Sequence, residues 1–138
     1  TAFLTGRALI TAEGSQEDIA VHQVAAAEGM EKVIAATVVH YINDTLADMA
    51  QIGTSDYSQK DHNKHWAEMK GYAIGLQTSS FKLISDSQLR ELAGTMGTAP
   101  VYAEPGSSDY NTAVANLNRA RDVLQEAYGF AAADVENW

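Results

Sequence analysis

The chain has 138 residues, of which 46% are apolar, with a formal net charge of −9 and no cysteine. This length and composition are those of one globular domain with a hydrophobic core, and the lack of cysteine excludes disulfides and thiolate metal ligands. The acidic balance and the scattered lysines exclude a phosphate-binding track, so we expect no nucleic-acid partner.

The first half of the chain predicts a short amphipathic helix followed by a long helical segment. Residues 1–13 form the short helix, which Gly14 ends. Ser15 and Asp18 have the capping-box spacing of a helix N-terminus, and no proline follows before about Ile52. The segment is either one helix, about 55 Å long if unbroken, or two stacked helices. Apolar residues cover most of its circumference, which is typical of a helix at the centre of a bundle. They are Val21, Val24, Met30, Val33, Ile34, Val38, Val39, Ile42, Leu46 and Met49.

The second half predicts three more helical elements separated by clear breaks. One helix runs from about Tyr57 to Gln77, and Ser85 with Gln88 forms a capping box for a short helix over 86–96. A loop with both prolines leads to a last helix, Asp109–Tyr128. The sequence therefore predicts an all-α fold, a helical bundle of four to five helices with one long central helix, in a single domain spanning 1–138. The long helix exceeds what so small a bundle needs, so we expect its partner helices either to belong to a part of the protein outside this sequence or to come from another protein chain that completes the bundle.

The stretch "HNKHWAEMKGYAIGLQ" carries the first candidate site. His65 and Glu68 are three residues apart, so their side chains lie on neighbouring parts of one helix face. Such a pair chelates a cation, or it forms a hydrogen bond in which the carboxylate fixes the histidine tautomer. The alternative is a structural histidine at the edge of the core. Trp66, on the same face, is predicted to be largely buried beside Met69 and Ala73.

The stretch "VVHYINDTLAD" in the long helix carries the second candidate pair. His40 and Asp44 are four residues apart on a stripe of small side chains, so they can face the other helix. Metal sites in helical bundles are built from facing side chains of this kind. The alternative is a polar network that Tyr41 or Asn43 completes. The candidate metal ligands are His65, Glu68, His40 and Asp44.

Together these two stretches resemble a family of bacterial cell-envelope lipoproteins of unknown function (domain of unknown function 4856). The likeness is densest from Ala35 to Gln77. That family in turn resembles the imelysins, which are helical, iron-regulated envelope proteins with a GxHxxE hallmark. The His and Glu of that motif fall on His65 and Glu68, whereas its Gly falls on Asn63, where this sequence departs from the pattern.

The resemblance implies an envelope-associated binding protein in the periplasm, holding a metal ion, with iron or another divalent cation as the cofactor. It also implies that the chain is a fragment of a longer imelysin-like protein. One alternative is an imelysin-like metallopeptidase, which needs three protein ligands, an open coordination position and a general base. The other is a non-enzymatic structural or interaction domain without metal. No catalytic motif is recognisable, and no apolar run reaches the roughly 20 residues that span a bilayer, so we expect no membrane insertion by this segment.

Overall fold

The computed structural model describes all 138 residues and contains helices but no strand. This confirms the predicted all-α fold with one long helix at its centre. Six α-helices are present because the final residues, whose structure the sequence left ambiguous, form a short helix of their own. In chain order they are α1 (Ala2–Thr11), α2 (Gln16–Ala50), α3 (Gln59–Gly75), α4 (Asp86–Thr95), α5 (Ser108–Tyr128) and α6 (Ala132–Val135), with a 3₁₀ turn, Leu76–Thr78, following α3.

Serine side chains set where four of the helices, α2 to α5, begin. Ser15 accepts a hydrogen bond from the backbone N–H of Asp18, so α2 begins at Gln16 as predicted. Ser85 and Gln88 form the complete reciprocal capping box at the start of α4. Ser58 and Ser107 cap α3 and α5 in the same way as Ser15. Each cap satisfies backbone donors that the first helical turn leaves without partners.

The core lies along the C-terminal part of α2, where α3 and α5 pack against it. Val38, Val39 and Ile42 of α2 have no exposed surface, and neither do Met69 of α3 and Leu124 of α5. One continuous cluster of apolar residues joins these helices to α4 and α6. The packing fixes the rotation of α2 and α3 about their axes, and it therefore decides which polar residues meet at the edge of their contact.

The N-terminal part of α2 is not covered in this way. The helix is one unbroken element of 35 residues, whereas α3 has 17, so α2 extends past the bundle and only α1 lies beside it. Val21, Met30 and Val33 are 62%, 58% and 67% exposed, and α1 has no buried residue. The apolar circumference that indicated a central helix therefore includes three positions that no other helix of this chain covers. No helix, this stretch included, is long and apolar enough to cross a membrane.

Lys70 attaches α3 to the end of α4. Its Nζ donates to the backbone oxygens of Ala93 and Gly97, both at 2.7 Å. Carbonyls at the C-terminus of a helix lack partners within the helix and carry partial negative charge, so a lysine there is well placed. Burial lowers the pKa of Lys70. This contact holds the segment after α4 against α3.

Glu31 is a buried junction between three parts of the chain. The residue is only 3% exposed, and its Oε1 accepts hydrogen bonds from the backbone N–H of Leu83 at 2.7 Å and from the Tyr128 hydroxyl at 2.9 Å. The contacts join α2 to the segment before α4 and to the last residue of α5. A buried carboxyl group is costly unless donors satisfy it, so these two bonds offset part of the cost of burying Glu31, whose other oxygen, Oε2, has no hydrogen-bond partner.

We expect stability to fall in alkaline solution partly because of Tyr128. Burial, and then the hydrogen bond to Glu31, raises the pKa of this phenol above its usual 10.0. The folded state therefore holds the phenol proton more tightly than the unfolded state does. The resulting stability is fully present below about pH 10 and is lost as the pH rises further. Urea unfolding at about pH 8 and pH 11 should show a smaller alkaline loss for Tyr128→Phe than for the wild type. Equal losses would mean that Tyr128 makes no such contribution.

Candidate functional site

The candidate site lies along the contact between α2 and α3. On α2, His40, Asp44 and Asp48 are each four residues apart, so they form one stripe along the helix. The turn after α2 reverses the chain, and α3 packs along the C-terminal half of α2 with His65 facing this stripe. The sequence predicted that His65 would meet the His40–Asp44 pair, and the structure brings these three residues together.

The side chains form a row in which carboxylates and imidazoles alternate, and we call it the carboxylate–imidazole row. His65 Nδ1 lies 2.7 Å from Asp48 Oδ2, and the other ring nitrogen, Nε2, lies 3.9 Å from Asp44 Oδ2. The same Asp44 oxygen is 3.3 Å from His40 Nε2. The order across the helix pair is therefore Asp48, His65, Asp44, His40.

Solvent access increases along the carboxylate–imidazole row from Asp48 to His40. The side chains of Asp48 and His65 are 19% and 20% exposed, Asp44 is 34% exposed, and His40 is 49% exposed. The Tyr41 ring stacks against the His65 imidazole, with centroids 6.1 Å apart and planes at 29°. The inner end is thus fixed by packing, while the outer end is open to a small ion from solution.

The short contact with Asp48 determines the proton on His65. A carboxylate only accepts hydrogen bonds, so Nδ1 carries a proton and donates it to Asp48. A neutral ring then has a bare lone pair on Nε2, and this lone pair faces a carboxylate oxygen of Asp44. The 3.9 Å separation is too long for a hydrogen bond. It is only somewhat wider than two ligands need when each lies about 2.0–2.2 Å from one ion.

Glu68 is not part of the carboxylate–imidazole row. It makes no hydrogen bond or ion pair with His65, and its Oε2 lies 3.9 Å from Lys64 Nζ. That oxygen is buried and has no hydrogen-bond partner. The carboxylate is close enough to Tyr41 to raise the pKa of the phenol, although burial contributes more. The HxxE pair is therefore present on one helix face, with its two members turned to different neighbours.

Asp48 is the residue that the sequence reasoning missed. It continues the His40–Asp44 spacing by one more turn, so the signal was available. Asn43, considered as a member of the network, instead donates to the backbone oxygens of Val135 and Trp138. His22 lies on the same stripe far along α2, where it packs against Gly6 of α1. No three histidine, aspartate or glutamate side chains converge closely enough to hold an ion together.

Comparison with family models, curated proteins and solved structures finds no match to this chain.

Proposed function

We propose that this chain is a helical binding protein that holds a divalent cation between α2 and α3, with Asp44 and His65 as ligands. The observation that supports it is the 3.9 Å separation between His65 Nε2 and Asp44 Oδ2, which is too long for a hydrogen bond. Asp48 supports it further, because histidines that bind metals commonly donate their other ring N–H to a carboxylate. That contact leaves Nε2 free to bind.

The donor set fits a first-row transition metal. An imidazole nitrogen with carboxylate oxygens suits iron, zinc or manganese, and the family resemblance favours iron among them. Three carboxylates, Asp44, Asp48 and Glu68, lie at this edge with only Lys64 as a neighbouring lysine, so a cation lowers the local repulsion. His40, 3.3 Å from the same Asp44 oxygen, is the nearest candidate for a third ligand.

A structural network is the second candidate, and one observation favours it. Since no three ligand-type side chains converge, the site lacks the protein ligand set that catalytic and structural zinc sites have. In this alternative the imidazole of His65 carries protons on both nitrogens and links Asp48 to Asp44 as a cation itself. The charge between the carboxylates is then a histidine, and the role of the site is to specify how α2 packs on α3.

Metal titration of the purified chain and three variants tests the proposal. We expect Zn²⁺, Mn²⁺ or anaerobic Fe²⁺ to bind the parent in titration calorimetry, and His65→Ala and Asp44→Asn to abolish the binding. Asp48→Asn should weaken it about 10- to 100-fold, the usual effect of removing the partner of a ligating histidine. His22→Ala is the matched control, since it removes a histidine of α2 away from the site and should leave affinity unchanged.

The structural alternative gives the opposite pattern. The parent then shows no heat with any of the three ions, and His65→Ala lowers the melting temperature without changing any metal response. Glu68→Gln addresses the HxxE motif directly. If it weakens binding as strongly as Asp44→Asn does, Glu68 is a ligand, as the resemblance implies. If it changes nothing, Asp44 takes the role that the motif assigns to the glutamate.

Several further properties stay predictions. Only the resemblance supports the imelysin-like relationship, the periplasmic or envelope location and a lipoprotein precursor. A metallopeptidase would also need a general base beside the metal. A partner protein chain completing the bundle is supported by the exposed apolar side chains of α1 and the N-terminal part of α2. They are Phe3, Leu4, Ile10, Val21, Met30 and Val33.

A further inference from the structure

A second feature, whose lining shares no residue with the cation site, is a cleft of about 330 Å³ between α3 and α5. We call it the α3–α5 cleft. Its walls come from α2, α3, the segment after α4 and α5, and they include Met49, His62, Trp66, Met96, Thr112 and Leu117. The volume is within the range of small-molecule sites, and half of the lining residues are hydrophobic.

His62 is the unusual member of this wall. The residue has no exposed surface, and its Nδ1 lies 3.0 Å from the Tyr57 hydroxyl. Its other ring nitrogen, Nε2, is buried without any hydrogen-bond partner. Buried polar atoms of folded proteins are nearly always paired, so an orphan of this kind requires an explanation. A ligand in the adjoining cleft supplies one.

The Tyr57 contact indicates which proton His62 carries. The Tyr57 hydroxyl makes no other hydrogen bond, so donating its proton to Nδ1 satisfies the phenol and leaves the ring proton on Nε2. Burial lowers the pKa of His62, which favours this neutral ring over an imidazolium. The unpaired group is therefore an N–H donor, and its missing partner is a hydrogen-bond acceptor.

The remaining walls narrow the class of ligand. Asp109 is the only carboxylate among the lining residues, and no lysine or arginine is among them, so an anion is disfavoured. Trp66 presents a large aromatic surface, and its position is fixed because Nε1 donates to the backbone oxygen of Met96 at 3.2 Å. Met49 and Met96 add flexible side chains that can adjust around a guest.

We propose that the α3–α5 cleft binds a small, neutral, mostly apolar molecule through one carbonyl oxygen, which accepts a hydrogen bond from His62 Nε2. Because His62 has no exposed surface, the oxygen reaches Nε2 only when the flexible methionine side chains of the wall shift to make room. The apolar part of the ligand packs on Trp66 and the methionines. The carbonyl supplies the partner that Nε2 lacks, and because that N–H is already removed from water, the bond replaces no hydration of the protein group.

Acetophenone and ethylbenzene test this directly, since they have nearly the same shape and differ by the carbonyl oxygen. Titration followed by ligand-observed NMR should give acetophenone about two- to tenfold tighter binding, the value of one neutral hydrogen bond. In His62→Leu the preference should disappear while ethylbenzene still binds. Equal affinities of the wild type for the two compounds, or no binding of either in the millimolar range, would overturn the proposal.

Two variants on α5 locate the binding. Thr112→Trp places a large side chain at an exposed position of the cleft wall, and it should remove binding of both compounds. Ala115→Trp, on the same helix but outside the wall, should bind like the wild type. Undiminished binding to Thr112→Trp would show that the compounds bind elsewhere and would refute the site.

A spectroscopic measurement covers the case in which His62→Leu does not fold. In wild-type protein labelled with ¹⁵N in histidine, acetophenone should shift the Nε2 resonance of His62, whereas ethylbenzene should leave it nearly unchanged. If acetophenone binds without moving that resonance, His62 is not the donor and the proposal fails.

Discussion

Replacing Trp66 by alanine should lower the free energy of unfolding by about 3 kcal/mol, the lower end of the range for deleting a large core aromatic. The ring packs against the central apolar cluster, but part of its surface faces the α3–α5 cleft, so the loss is smaller than for a fully enclosed residue. The variant also removes the hydrogen bond from Nε1 to the backbone oxygen of Met96. Urea unfolding followed by far-ultraviolet circular dichroism measures the change.

Trp66→Phe separates the two contributions to that loss. It keeps an aromatic ring in the same place and removes the indole N–H, so it should cost about 1 kcal/mol from the hydrogen bond in addition to a smaller packing loss. A cost below about 1 kcal/mol for Trp66→Ala itself would contradict the packing of this face of α3 on the core.

Glu31→Ala should destabilise the fold by about 2–4 kcal/mol, because it leaves one buried and one partly buried donor without an acceptor. The backbone N–H of Leu83 and the hydroxyl of Tyr128 both depend on Oε1 of this residue. Removing it also leaves a space between α2, the segment before α4 and the end of α5. The free energy of unfolding at neutral pH, from a urea titration, is the measurement.

Three variants calibrate the effect of Glu31. Tyr128→Phe removes one of the two donors and should cost only about 1 kcal/mol. Glu31→Gln keeps a side-chain oxygen at nearly the same place and should cost less than Glu31→Ala. Glu28→Ala, on the same helix and without a hydrogen bond or ion pair, should be close to neutral. A Glu31→Ala variant as stable as Glu28→Ala would show that the junction contributes nothing.

Local sequence signals were sufficient for every helix except α6. The spacing of Ser15 with Asp18, and of Ser85 with Gln88, placed the beginnings of α2 and α4 correctly because a cap depends only on residues within one turn. The apolar residues of α2 predicted that the segment is a helix, but they did not predict which of its residues are buried. Val21 and Val38 are the same residue type in the same helix, yet one is 62% exposed and the other fully buried, since burial depends on where the partner helices end.

For the candidate site too, local spacing predicted which residues share a helix face but not which residues of the two helices meet. Helical spacing correctly grouped His40 with Asp44, and it correctly placed His65 opposite them. Which carboxylate the His65 ring contacts depends on how far α3 is shifted along α2, and this shift is set by the packing of the core and by the turn between them. The histidine therefore meets Asp48, seventeen residues away, rather than Glu68 on its own helix.

Glu31 could not have been identified from the sequence at all. A glutamate in a long helix is normally solvated, and its two partners are 52 and 97 residues away in the chain.

The uneven covering of α2 implies that resistance to local opening differs greatly along one helix. Opening α1 exposes no buried side chain, so little free energy opposes it, and its amide hydrogens exchange with solvent water through small fluctuations. The stretch of α2 around Val38 and Ile42 opens only when the bundle itself comes apart, so the free energy of opening for its amides approaches that of global unfolding. The His40–Asp48 part of α2 belongs to the slow region, and the ligand-type side chains therefore project from the part of the backbone that moves least.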